Sequence, residues 1–191
     1  MKTLFFSILL FAFAWESTAQ DVRPSTVDFK IGIGRALLGT GDYGFYRFEN
    51  EVTKKWTKWF STSLVLSIGT GYNNQFPIRH INTFHADFNL FVSPFGNQRI
   101  NNFKIGTGFT VMGANITSSF GRRMIYDEGR KVFITMEDIR SESRRATGIS
   151  MIIEDEISVS KRLILGLKIL IQPYSNADIL SGFVMKFGFK L

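Results

Sequence analysis

Large apolar residues alternate with glycine, serine, threonine and charged residues along nearly the whole chain, and the strand glycines keep to one side of the alternation. A period of two is the side-chain period of a β-strand. The alternation predicts eight strands, at about 27–38, 43–54, 59–71, 81–93, 102–113, 148–160, 163–172 and 184–191. The seventh has the plainest pattern: Leu163, Leu165, Leu167, Ile169 and Ile171 oppose Gly166, Lys168 and Gln172. In the last strand Met185, Phe187, Phe189 and Leu191 share one face, and Val184, Lys186, Gly188 and Lys190 the other.

Alternation alone does not say which face is inside. Side-chain volume does. The interior of an eight-stranded barrel is just wide enough for side chains to fill it, so its inner face carries small residues. Gly32, Gly34, Gly69, Gly71, Gly106, Gly108, Gly166, Gly182 and Gly188 all fall on the polar face, whereas Phe, Leu and Ile crowd the other. The expected fold is therefore all-β: an eight-stranded antiparallel transmembrane β-barrel, apolar outside and polar inside. In hydrocarbon no strand edge stays unpaired, so the last strand is expected to pair with the first. Asp155 breaks the pattern by falling on the apolar face, which a β-bulge or a place near the interface accommodates.

The start of the chain, "MKTLFFSILLFAFAWESTAQ", reads as a secretory leader. Lys2 precedes an apolar run from Leu4 to Trp15, and Ser17 and Ala19 offer small residues before a cut after Ala19. Residues 1–19 are thus read as signal peptide and 20–191 as one barrel domain. The run is short for a membrane-spanning helix. Cysteine is absent, which excludes disulfides, thiolate metal sites and a lipoprotein anchor. The net charge of +7 is compatible with nucleic acid or acidic lipid. Export excludes intracellular nucleic acid and leaves lipid.

The connections are uneven. Strands two and three, four and five, and six and seven are joined by short segments, whereas 113–147 reads as a long loop. Short turns at one end and long loops at the other are expected of an outer-membrane barrel. Within that loop "RKVFITMEDI" has the pattern of a short projecting hairpin.

The leader, the eight alternating strands and the ending "GFVMKFGFKL" resemble the small outer-membrane β-barrel proteins of Gram-negative bacteria, in particular the porin-family barrels of Bacteroidetes. The resemblance is one of pattern over the mature chain, and no motif in it is specific for an activity. It implies an outer-membrane monomer with both termini in the periplasm. It also implies that Gly182, Met185, Phe187, Phe189 and Leu191 are read by the barrel assembly machinery, although the family often ends on Phe rather than Leu.

The inner face carries Lys30, Glu49, Asp87, Lys104, Glu154, Glu156, Lys168 and Lys186. Charges removed from water need partners, so an ion-paired filling of a non-conducting lumen is expected, with Glu154 or Glu156 against Lys168 or Lys186. His85 shares that face with Asp87, the start of a base pair for catalysis, with Ser63 or Ser67 as nucleophile on the neighbouring strand. That alternative is a lipid A-modifying enzyme. Another is a soluble periplasmic barrel binding a small apolar ligand. Neither a metal nor a cofactor is expected from the ligand spacing. Arg122, Arg123, Arg130, Lys131, Arg144 and Arg145 in the 113–147 segment suit phosphate through the planar guanidinium fork, with lipopolysaccharide or a surface partner as the expected contact. Trp56, Trp59, Tyr43, Tyr46, Tyr72 and Tyr126 suit an interfacial girdle. The expected role is a structural or adhesive scaffold displaying the long segment.

Overall fold

The computed structural model describes residues 27–39, 43–73, 79–96, 100–127, 129 and 132–191. The leader, residues 1–19, and the loop cations Arg130 and Lys131 lie outside the described residues. Eight strands form one closed barrel, each antiparallel to its neighbours in chain order. They are β1 (Val27–Leu38), β2 (Tyr43–Lys55), β3 (Phe60–Asn73), β4 (Arg79–Val92), β5 (Asn101–Asp127), β6 (Val132–Ser158), β7 (Leu163–Pro173) and β8 (Ile179–Lys190). The ring closes as expected: Phe29 pairs with Phe189, Ile31 with Phe187 and Ile33 with Met185. Leu191 adds a backbone bond of 3.0 Å to Val27.

Local chemistry makes the tight turns at the end that holds the termini. The Thr57 hydroxyl accepts the amides of Trp59 and Phe60, and the Ser160 hydroxyl those of Arg162 and Leu163. Both side chains substitute for a backbone partner where the ladder ends. Gly96, at φ 83°, takes the left-handed turn after β4.

The outer surface is a belt of exposed Phe, Leu, Ile, Met and Val from every strand, such as Ile33, Leu64, Phe88, Phe109 and Met185. A belt of this extent marks a surface that meets a membrane or another protein. The inner face is tight, as the glycine pattern requires. A Cβ on Gly106 would stand 2.5 Å from the Phe91 ring, and one on Gly69 would run into the Phe45 ring. These two rings lie inside the barrel because a glycine faces each. Gly106→Ala is expected to cost about 1–3 kcal/mol through forced repacking. Adding Phe91→Leu is expected to return part of it, as read by denaturant unfolding in detergent micelles.

Two expectations need correction. The inner face is not polar throughout. Near the end opposite the termini it becomes apolar, with Ala36, Leu38, Phe45, Ile81, Met112, Ala114, Ile116, Leu170 and Leu180 in one buried cluster with Tyr174. Parity assigns these residues to the inside, but the contrast with the outer face fades there. The segment 113–147 is also not a loop. β5 and β6 run on as a ribbon, paired from Gly113 and Arg145 to Asp127 and Val132, with a register shift between Ser119 and Gly121. At about 3.3 Å per residue, the ribbon past the β4 pairing (Ser118) holds on the order of 30 Å of strand. Both its faces lie outside the barrel wall, so no single face has to be apolar. That is why the alternation disappears from the sequence there.

Asp155 sits in an unbroken register between Phe103 and Leu167, so no bulge accommodates it. It lies close to Ser158, where β6 ends, and rim placement is the feature that the register supplies.

Candidate functional site

Inward positions of seven strands meet in a buried charge network. Lys30 on β1 reaches Glu51 and the Thr53 hydroxyl of β2 at 3.0 Å each, Glu154 of β6 at 3.5 Å, and also Glu156. Lys104 on β5 reaches Glu154 at 3.1 Å and Glu156 at 2.7 Å. Lys186 on β8 reaches Glu154 at 2.6 Å and Glu51 at 2.5 Å. Lys168 on β7 pairs with Glu49 and stands 3.7 Å from Glu51. Further toward the apolar cluster, Arg47 donates to Asp87 at 2.9 Å and lies 3.4 Å from Glu49. Lys104 also lies 5.0 Å from the centre of the Phe91 ring.

All of these groups are buried. The cations Lys30, Arg47, Lys104, Lys168 and Lys186 match the carboxylates Glu49, Glu51, Asp87, Glu154 and Glu156 one for one. The carboxylates of Glu51, Glu154 and Glu156 converge within 4.8 Å of one another. The ammonium groups of Lys30, Lys104 and Lys186 supply the positive charge among them. Of the partners expected from strand adjacency, Glu154 with Lys186 forms. Lys168 instead crosses to β2. Arg47, Glu51 and Thr53 were not among the expected site residues. Their shared parity with Glu49 was the signal that identifies them.

His85 and Asp87 take different partners. Asp87 accepts from Arg47 and from the Thr110 hydroxyl. His85 Nδ1 lies 3.0 Å from the Tyr174 hydroxyl, which donates to Gln172 at 3.0 Å. Ser67 stands opposite His85 in the β3–β4 register, and its hydroxyl and His85 Nε2 have no hydrogen-bond partner among the described residues. Ser63 is engaged instead by Asn89 at 3.4 Å. His85 itself is fully buried.

The arginines of the ribbon do not form one patch. Arg122 faces Glu137 in the register, whereas Arg145 faces Gly113, roughly 26 Å away along β6 at about 3.3 Å per residue. Arg123 pairs with Asp138 at 2.5 Å on the exposed ribbon. Arg144 bonds Glu142 at 3.0 Å and Asp178 at 3.0 Å, tying the ribbon base to the β7–β8 turn. Its guanidinium holds the Glu142 carboxyl below the usual carboxylate range.

Trp56 and Trp59 are exposed at the end with the termini, and Trp56 Nε1 donates to Thr62 at 2.9 Å. Lys54 lies 4.1 Å from the centre of the Trp56 ring. Tyr46 and Tyr72 are exposed nearer the other end, whereas Tyr43 is half-buried beside Arg79. Tyr126 departs from the girdle: it sits far out on the ribbon against Phe133, with ring centres 5.2 Å apart. On β8, Met185, Phe187 and Phe189 face outward, Gly182 faces inward, and exposed Leu191 follows the strand.

No protein-family model and no curated protein matches the chain. Solved structures do. Ail, the attachment invasion locus protein of Yersinia pestis, is similar over 87% of this chain and 98% of its own, with a TM-score of 0.58 at 9% identity. The outer membrane protein OprG from Pseudomonas aeruginosa is similar over 90% and 99%, with a TM-score of 0.57 at 11% identity. Neisserial surface protein A is similar over 86% and 96%, with a TM-score of 0.53 at 9% identity. The chain has the fold of a small outer-membrane β-barrel. In that fold the apolar belt forms the outer surface, and the charge network and apolar cluster occupy the bore.

Proposed function

We propose that the protein is an outer-membrane barrel of the small porin-like kind found in Bacteroidetes. It is exported by the leader at residues 1–19, has a filled and non-conducting lumen, and acts as a structural or adhesive scaffold. Its working part is the β5–β6 ribbon. The observation that carries this reading is a pair of strands that runs past the barrel wall and stays exposed on both faces, above a bore packed with matched charges and an apolar cluster. Met124, Ile125, Tyr126 and Phe133 are exposed near the ribbon tip, a surface with no use inside a membrane. The rim arginines meet lipopolysaccharide, the outward residues of β8 meet the barrel assembly machinery, and the molecule is a monomer. Nothing in the bore needs catalysis, because Asp87 is held by Arg47 and Thr110 and His85 is sealed from solvent.

The test combines fractionation with planar-bilayer recording. The protein is expected in the outer-membrane fraction, extracted only by detergent, with heat-modifiable migration on gels and no steady conductance. Added protease is expected to cut the ribbon on intact cells. Recovery as a soluble periplasmic species, or a reproducible ion current, overturns the scaffold reading.

A further inference from the structure

On the outer surface Phe84, Gly113 and Arg145 stand side by side across β4, β5 and β6. One row further from the termini, Asn82, Asn115 and Ser143 make a second line. No atom lies within 4 Å of the place where a Cβ on Gly113 would stand, so the glycine leaves a notch in the wall. The open cavity over it measures about 340 Å³ and is lined by both rows.

Gly113 differs from the inward glycines. Those make room for ring and chain atoms, whereas this one faces out and makes room for something outside the protein. Arg145 is exposed, and no ion pair of it is seen among the described residues. Its neighbour Arg144, by contrast, is held by Glu142 and Asp178. Below the notch the outward residues are apolar, with Val111, Phe109 and Phe88 exposed. Above it they are amides and hydroxyls. On the outer-membrane reading, the notch therefore lies where hydrocarbon gives way to headgroups, on the leaflet away from the termini.

We propose that this notch is a binding site for a phosphorylated glycolipid headgroup of that leaflet. The Arg145 guanidinium pairs with a phosphate in the forked manner that suits it. Asn82, Asn115 and Ser143 offer donors and acceptors to sugar hydroxyls. The first part of an acyl chain lies over Gly113 against Phe84. Burial at the lipid boundary makes such a charge-assisted contact stronger than in water. The site rests on the outer-membrane reading and narrows its lipopolysaccharide contact to one place.

The experiment is native mass spectrometry of detergent-purified protein, with folding of each variant confirmed by heat-modifiable migration. The wild type is expected to retain bis-phosphorylated lipid A. Arg145→Gln, which removes the phosphate partner, and Gly113→Leu, which fills the notch, are each expected to lower retention about tenfold. Lys161→Gln, in the exposed β6–β7 turn at the end with the termini, is expected to retain lipid as the wild type does. Dephosphorylated lipid A is expected to rebind poorly, and inorganic phosphate is expected not to displace the bound lipid. Equal retention by Arg145→Gln or Gly113→Leu overturns the notch, as do displacement by inorganic phosphate and a wild type free of lipid A. In each of those cases detergent-dependent, heat-modifiable behaviour would leave the barrel reading standing.

Discussion

Glu154→Gln is expected to destabilise the barrel by about 3–5 kcal/mol, the cost of breaking a buried ion pair by removing one partner. Glu154 is the carboxylate that Lys30, Lys104 and Lys186 share, at 3.5, 3.1 and 2.6 Å. Glutamine keeps the shape and removes the charge, leaving a surplus ammonium where no water reaches. A second change identifies the cause. Glu154→Gln with Lys186→Met restores the charge match, and this double variant is expected to be more stable than Glu154→Gln alone, because a pair replaced whole costs far less than a pair cut in half. Equilibrium urea unfolding in phospholipid vesicles, followed by the fluorescence of the turn tryptophans, measures both. A Glu154→Gln protein with the unfolding midpoint of the wild type would remove charge matching as an account of the bore.

Phe88→Arg is expected to cost about 2–4 kcal/mol, the cost of a cation at the bilayer midplane on the lipid face of a barrel. Phe88 lies at the centre of the outward run Phe84 to Val92 on β4 and is exposed. Asn82→Arg, on the same strand and face but in the first polar row, is expected to cost about 0–1 kcal/mol, because the cost falls toward the interface. The contrast between the two positions is the measurement. If the outer surface faced water, both changes would fall within about 0.5 kcal/mol of zero. Equal small effects would therefore assign the belt to a partner protein or to solvent.

Most of the wall was legible in the sequence. Leu163 to Ile171 alternates without a break, and volume settled the sides, since glycines fell on the crowded face of one strand after another. The C-terminal strand was legible for the same reason. The ribbon was not. Past Ser118 the register continues, yet neither face meets a core or lipid, so Ile125, Tyr126 and Phe133 follow no inside–outside rule. Residues such as Ile125 and Tyr126 favour extended backbone, but β-propensity without a burial pattern is a weak signal. The charge network was half legible. Parity placed Lys30, Lys104, Glu154 and Lys186 inside, but pairs across the bore depend on strand stagger, which no single strand encodes. That is why Lys168 was expected beside β6 and instead meets Glu49. The notch was not legible either, because parity puts Gly113 on the outward face but does not show that Phe84 and Arg145 stand beside it.

The members of the charge network come from β1, β2, β4, β5, β6, β7 and β8, which are spread over most of the chain. A partial sheet made of the first four strands holds Lys30 and Glu51 without Glu154, and one made of the last four holds Glu154 and Lys186 without Glu51. Neither fragment can enter hydrocarbon electrically complete. On the outer-membrane reading, insertion and ring closure are therefore expected to happen together, in a single late step that joins β1 to β8.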